Sequence, residues 1–505
     1  MSAHPTKISG VGPSGSNRNQ TINDQFSNAH SLSDGPPPEE DQRIEARVQQ
    51  IGQQIFESVR GQKAGIWNKS FWQTQMMEWT TRNPVVKTQL FRFVDVLPVL
   101  KTVASKRDHL LEYLSRPNGH KSGSWPFFLS ATTALLKTPF QSLVTSVADR
   151  QVKEMAANFI LGKRVEEVLP KVEALRKEEV AFTLDLLGEA ILSEPEAAEY
   201  RDLYHHLLDG LGERSKAWGP VSAIDDSPLG AIPKVNLSIK ISALDAMPDP
   251  IAWEPTLARL HERLAPLIEK AMKYEIFINF DMEQFSYREM TNELFRRILM
   301  DDRFKNYRHL GIVVQAYLKT APADVSAWVE FAKQRKTPFT VRLVKGAYWD
   351  YEQVIAQQNG WEPPVFDHKW QSDVAFEKCA KILLEGYPHL ELAAGSHNVR
   401  SLAYCLAKTE DLGLPKNAME VQMLYGMSGG FRKAFVSQGY RFREYCPVGE
   451  MLPGLSYLVR RLLENTANDS FLKQSFLDKK GVLELLKNPS GGWMTPEVKN
   501  QGDGL

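Results

Sequence analysis

Ala181-Phe182-Thr183-Leu184-Asp185-Leu186-Leu187, running on into Gly188-Glu189-Ala190-Ile191-Leu192, is the stretch on which the fold turns. Propensity alone leaves it open to helix or strand. Downstream, short β-branched or aromatic runs at 235–241, 275–281, 311–317, 339–344, 390–395, 419–424 and 440–445 alternate with amphipathic helical stretches. With 181–187 as a strand, eight strands interleaved with helices predict an α/β chain closed into a (β/α)8 TIM-like barrel. With 181–187 as a helix, the remaining strands suit an open doubly wound sheet. No GxGxxG follows an early strand, which counts against a Rossmann site.

Upstream, the texture is different. Residues 1–40 are rich in Ser, Asn, Gly and Pro and end in Gly35-Pro36-Pro37-Pro38. They carry too few large apolar side chains to offset the entropy of ordering, so a disordered leader is expected. After Glu39-Glu40-Asp41, residues Ile44, Val48, Ile51, Ile55 and Val59 recur at spacings of three and four, the signature of an amphipathic helix with acidic residues at its N-terminus. Further helical stretches are expected at 67–79, 86–103 and 148–161, with breaks near Pro84, Pro117, Pro126 and Pro139. The expected organisation is a leader (1–40), a helical arm and all-helical N-terminal domain (41–177), the barrel (178–470) and a C-terminal tail (471–505).

At 505 residues with 43% hydrophobic content, the chain can bury at least one large core. Sixty-one basic residues balance 61 acidic ones, so no global field favours nucleic acid. The residues before the first helix also lack the basic strand and paired helices of a ribbon-helix-helix domain. Cys379, Cys405 and Cys446 show no CxxC spacing, in keeping with a reducing compartment. No apolar run approaches the ~18 to 20 residues that span a bilayer, and neither a signal core nor an Arg-rich transit peptide is recognisable. A cytoplasmic protein is expected, with peripheral contact at an inner membrane left open.

The chemistry-bearing residues follow the strands. Lys240, Asp281, Gln315, Arg342 with Lys345, and His397 fall at or just beyond strand C-termini, which in a barrel converge on one mouth. Each alone is explained by a polar strand end meeting solvent; their succession favours a site. Lys240 lies in the apolar run NLSIKISAL, where an unpaired ammonium is costly. It fits either a substrate carboxylate or a structural salt bridge, with Asp281 or Glu189 orienting it. Arg342 and Lys345 precede Gly346-Ala347, an arrangement suited to an anionic, planar cofactor approaching the backbone, and a flavin meets both descriptions. The competing chemistry is a Schiff-base lyase using Lys345 or Lys240. Gln315, Ser396-His397-Asn398 and Gln422 offer neutral hydrogen bonds to a heterocycle, and His397 has no second ligand at metal spacing. On a helix, Tyr457, Arg460, Arg461 and Glu464 project in neighbouring directions. Two adjacent guanidinium forks suit one small carboxylate, the alternative being a solvated face.

Taken together, NLSIKISAL, INFDMEQF, IVVQAYLKTAPADV, RLVKGAYWDYE, GSHNVRS, EVQMLYGM, YCPVG and YLVRRLLEN resemble proline dehydrogenase, and more closely the proline dehydrogenase half of bacterial proline utilization A proteins, over about residues 86–475. The resemblance implies FAD in a distorted (β/α)8 barrel. It implies oxidation of L-proline to Δ1-pyrroline-5-carboxylate by hydride transfer to flavin N5, with electrons passed to a membrane quinone. By position it makes Lys240, Arg460 and Arg461 the carboxylate-binding cations, with Asp281 supporting them. Tyr348, Leu424, Tyr445 and Tyr457 enclose the pyrrolidine ring, and Glu189 pairs with Arg460 over the substrate. Arg342 sits near flavin N5, while Gln315, Lys345, Gly346, Ala347, Tyr348, Ser396, His397, Asn398, Gln422 and Glu464 line FAD. The aldehyde dehydrogenase half of the bifunctional members is not expected within these residues. A separate pyrroline-5-carboxylate dehydrogenase is then an expected partner, and a silent module docking it is the third reading.

Overall fold

The computed structural model describes residues 39–60, 159–188, 191–427, 429–449 and 481–490, with isolated positions between 96 and 112. The chain divides into two compact units, residues 1–46 and 47–505, and the barrel belongs to the second.

The deciding stretch is a strand. β1 (Ala181–Leu186) is buried along its whole length and pairs in parallel with β8 (Phe442–Val448) on one side and β2 (Val235–Ile239) on the other. Between them run β3 (Ile276–Phe280), β4 (Leu310–Gln315), β5 (Phe339–Val344), β6 (Leu390–Gly395) and β7 (Met419–Leu424). The order β1-β8-β7-β6-β5-β4-β3-β2 closes a parallel barrel, which rules out the open sheet. Strands of such a sheet are covered on both faces, which is why they read as near-continuous apolar runs.

Helices alternate with the strands: α2 (Val165–Lys177) before β1, then α3 (Glu194–Ser215), α4 (Trp253–Tyr274), α5 (Phe285–Met300), α6 (Ala321–Arg335), α7 (Trp349–Asn359), α8 (Lys369–Glu385), α9 (Val399–Asp411) and α10 (Gly429–Ser437). Outward-facing strand residues pack on them. Phe280 and Phe339 meet Phe295 of α5 at ring-centroid distances of 4.9 and 5.7 Å, and Phe295 meets Trp328 of α6 at 5.6 Å. Edge-to-face contacts of this kind add to the area each ring buries.

The lumen is polar. Near its floor the Glu420 carboxylate accepts from Arg443 Nε at 2.7 Å and Nη2 at 3.1 Å. Burial raises the Glu420 pKa, but Arg443 and Arg441 outweigh it and hold the group down to about 2. A cavity of about 30 Å³ is lined by the Glu420–Arg443 pair together with Arg308, His309 and Arg441 at the strand N-terminal end and Asn279, Arg342 and Gln422 further up the lumen. The lumen therefore carries charge from floor to mouth, where an aliphatic filling is usual for this architecture.

β8 extends three residues past the expected end at Tyr445, through Cys446, Pro447 and Val448. Pro447 reads as a strand breaker because it lacks an N–H, yet its carbonyl accepts from Leu161 N at 2.7 Å. The expected amphipathic helix is α1 (Glu39–Arg60), with Val48, Ile51 and Ile55 fully buried. Helical stretches read at 67–79, 86–103 and 148–161 lie almost wholly outside the described residues. Val96 is helical, whereas Leu100 and Thr102, and Phe159, Ile160 and Leu161 at the end of the third stretch, are not. Among the described residues no helix is long and apolar enough to cross a membrane.

Candidate active site

The mouth has a buried charged floor and a half-buried rim. Lys240 directly follows β2, Asp281 directly follows β3, Gln315 ends β4 and Arg342 lies inside β5; all four are 3 to 6% exposed. Asp281 is the hub. Its Oδ1 accepts from Arg342 Nη1 at 2.8 Å and from Asn279 Nδ2 at 3.0 Å, and its Oδ2 accepts from the Tyr445 hydroxyl at 2.7 Å. Arg342 also donates to Ser238 Oγ at 3.1 Å, and its guanidinium lies over the Tyr445 ring, 5.3 Å from the centroid. These contacts join β2, β3, β5 and β8 across the lumen. Burial pushes the Tyr445 phenol well above its ordinary pKa, as do the Asp185 and Asp281 carboxylates, so it stays protonated and donating.

The partner of Lys240 is a residue the sequence reading passed over. Its ammonium is held directly by Asp185 of β1, while Asp281 Oδ2 is 3.9 Å away. Asp281 thus serves Arg342 and Tyr445 first and the lysine second. The signal for Asp185 was present: a lone carboxylate inside AFTLDLL, matching the lone ammonium inside NLSIKISAL on a neighbouring strand. Buried opposite charges of this kind persist only when paired. Burial raises the Asp185 pKa, and Lys240 acts against the rise. Two carboxylates and two cations leave the quartet Asp185, Lys240, Asp281 and Arg342 formally neutral.

Lys345 lies on the opposite side of its strand from Arg342. It is ion-paired to Asp373 of α8, which Lys369 also approaches at 3.2 Å. Burial pushes the Lys345 ammonium down to about 8 against the pull of Asp373. Neither lysine is therefore offered to the mouth as an unengaged amine. A depressed lysine pKa lowers stability while the folded group is charged. Between pH 8 and the ordinary value of 10.5 the folded group is neutral and the unfolded one protonated, so stability rises with pH across that window. Wild type should gain on Lys345→Met as pH rises from 7.5 to 9.5 in urea unfolding; a gap that moves the other way contradicts the assignment.

Gly346 has a structural reason beyond ligand access. Its φ of +123° disfavours any side chain, and an added Cβ would lie 2.4 Å from the Tyr317 ring. The Tyr317 ring packs where a side chain on residue 346 would go. Ala347 is exposed and Tyr348 half-buried, at the start of α7.

On the β6 side, Ser396 N–H donates to the Gln422 carbonyl at 3.1 Å, and Asn398 N–H donates to Ser396 Oγ at 3.1 Å. Asn398 Oδ1 caps α9 by accepting from Arg400 N at 3.0 Å and Ser401 N at 3.4 Å. Leu424 N–H donates to His397 Nε2 at 3.1 Å. That nitrogen is then an acceptor, and the neutral ring carries its proton on Nδ1. The Gln422 side chain donates downward to Glu420. Gln315 Nε2 donates to the Glu283 carbonyl at 3.1 Å, while its Oε1, like Arg342 Nε, has no partner among the described residues. Of the residues singled out from sequence, Glu189, Tyr457, Arg460, Arg461 and Glu464 lie outside the described residues.

A family model described as proline dehydrogenase matches residues 168–474, and one described as the proline utilization A N-terminal domain matches residues 45–159. The bifunctional protein PutA of Klebsiella aerogenes is 30% identical over 356 residues, covering 69% of this chain and 26% of that protein. Proline dehydrogenase 1 of Bacillus subtilis (strain 168) is 28% identical over 325 residues, covering 64% of this chain and 91% of that protein. A crystal structure of proline utilization A from Bdellovibrio bacteriovorus inactivated by N-propargylglycine aligns with a TM-score of 0.80 at 42% identity, covering 89% of this chain and 44% of that one. The chain thus spans less than half the length of the bifunctional relatives it matches. A family model spanning residues 168–474, with the closed barrel of β1 to β8 inside it, establishes that the chain belongs to the proline dehydrogenase family.

Proposed function

We propose that this chain oxidises L-proline to Δ1-pyrroline-5-carboxylate with FAD as its cofactor. The observation that carries the reading is the buried quartet Asp185, Lys240, Asp281 and Arg342, roofed by Tyr445, at the mouth of a proline dehydrogenase family barrel. The residues fit a flavin on their own chemistry. Gln315 Oε1 and Arg342 Nε, buried just below the mouth, supply an acceptor and a donor for a heterocycle, and the half-buried rim of Gly395 to Asn398 supplies more. FAD, when bound, supplies the hydride acceptor.

The protein's part is binding and orientation. Lys240, with Arg460 and Arg461 in the roles the resemblance gives them, anchors the proline carboxylate. Asp185 and Asp281 hold Lys240 in place for it. Tyr445, Leu424, Tyr348 and Tyr457 wall the ring and exclude water, and a fixed ring presents one C–H for transfer. Asp281 fixes Arg342 and Tyr445 together, so the ring's wall and the cation beside the cofactor move as one body. As hydride leaves carbon, the nitrogen lone pair forms the C=N bond, so the substrate amine must have shed its extra proton. No protein nucleophile is required, in keeping with two lysines already engaged by carboxylates. The acceptor of the electrons in this reading is a membrane quinone, and the product passes to a separate pyrroline-5-carboxylate dehydrogenase.

N-propargylglycine carries the carboxylate and secondary amine that the site is proposed to grip. It should inactivate this chain in a time-dependent manner, with excess L-proline protecting. Full recovery of activity on gel filtration would contradict the expectation. Borohydride with a carbonyl substrate should trap nothing on Lys345 or Lys240; a labelled lysine would favour the lyase reading instead.

A further inference from the structure

Residues 481–490 bring Leu486, which follows the turn α11 (Val482–Leu485), against α1 and α9 at once. Leu486 is fully buried in a notch on α1 that exists because residue 52 is glycine. A Cβ on Gly52 would lie 2.4 and 2.7 Å from the two Leu486 methyl carbons. The Leu486 carbonyl accepts from Gln49 Nε2 at 2.6 Å and from Arg400 Nη1 at 3.1 Å. Arg400, 3% exposed, also forks onto Glu377 of α8 through Nε at 3.0 Å and Nη2 at 3.2 Å. Its own backbone N–H donates to the Asn398 side chain. One buried guanidinium therefore ties the C-terminal segment, α8 and the first turn of α9. The loop that α9 ends on its mouth side is Ser396-His397-Asn398.

We infer that residues 481–490 act as a clasp, with Leu486 and Arg400 as positioning residues that hold the β6–α9 loop in the place from which it lines the cofactor. The functional half rests on the flavin reading above. A buried bidentate ion pair whose third nitrogen donates to a backbone carbonyl allows little freedom. That carbonyl is in turn fixed by a leucine seated in a notch of the N-terminal helix. The β6–α9 loop is thereby stiffened by two segments distant from it in sequence, Gln49 to Gly52 and Gly481 to Ser490.

The test uses the full chain and two readouts. Gly52→Val fills the notch and Leu486→Ala empties it; the milder alanine change keeps the test alive if the valine variant folds poorly. Amide hydrogen exchange at residues 396–402 should be roughly tenfold faster in either variant than in wild type. The dissociation constant of apoprotein for FAD, from flavin fluorescence quenching, should rise about tenfold. Arg400→Gln should behave likewise, and Arg400→Lys, which keeps the charge, should recover part of the affinity. Faster exchange at 481–490 with none at 396–402 overturns the clasp. Faster exchange at 396–402 with unchanged FAD affinity overturns its role in holding the cofactor. A wild-type protein that takes up no FAD removes the flavin reading, while the exchange result still decides the clasp.

Discussion

Replacing Asp281 by asparagine is expected to lower kcat for L-proline about 100-fold while KM changes little. The side chain is the meeting point of Arg342, Asn279 and Tyr445, with Lys240 at 3.9 Å. Asparagine keeps the volume but withdraws the charge from a cluster that is neutral as it stands. Arg342, 3% exposed, then loses its one ion-pair partner among those the structure shows, and a buried cation so stranded costs about 3 kcal/mol. Carboxylate binding need not suffer, because the quartet now carries one positive charge in excess. What is lost is the joint position of the Arg342 guanidinium and the Tyr445 ring. The expected pattern is a fall in kcat and in melting temperature with KM preserved, and steady-state kinetics with a thermal melt checks it. A variant with wild-type kcat would reduce Asp281 to a structural ion pair.

Arg461→Met is expected to produce the opposite split. The described charges at the mouth cancel formally, and Lys240 and Arg342 each already have a carboxylate partner, so much of their attraction for a bound carboxylate is offset. Further cations must come from elsewhere, and the proposal assigns them to Arg460 and Arg461. Losing one charge-assisted, bidentate contact costs about 3 kcal/mol, or roughly 100-fold in affinity. KM for proline and the inhibition constant of a cyclic carboxylate should rise together by that factor, with melting temperature unchanged. Unchanged affinity for both removes Arg461 from the site and leaves Lys240 to carry the carboxylate.

Much of the fold was legible because parallel barrel strands advertise themselves. Of the eight runs, those at 339–344, 390–395 and 419–424 match their strands residue for residue. The one at 440–445 starts two residues early and stops short of Cys446-Pro447-Val448, which the strand includes because its last residues can dispense with the one N–H that proline lacks. The site was legible where a charge interrupts an apolar run. Lys240 stood out for that reason and Asp281 as the charge that ends its run, whereas Asp185 obeys the same rule as Lys240 but sat in the stretch whose helix or strand character was in doubt. Pairings were less legible than residues. Which carboxylate serves which cation depends on strand order around the closed barrel, and β1 meets β2 only because the barrel closes. Gly346 shows a further limit: that a tyrosine ring packs where its side chain would be is not readable from RLVKGAY alone.

The barrel is proposed to hold FAD and to reduce it with L-proline. The most direct measurement is the anaerobic visible spectrum of the purified full chain before and after adding L-proline. Flavin absorbance should bleach on addition and return when a quinone analogue is supplied. Flavin that persists in the presence of proline would contradict the substrate, and a colourless protein that cannot be reconstituted with FAD would contradict the cofactor and the mechanism with it.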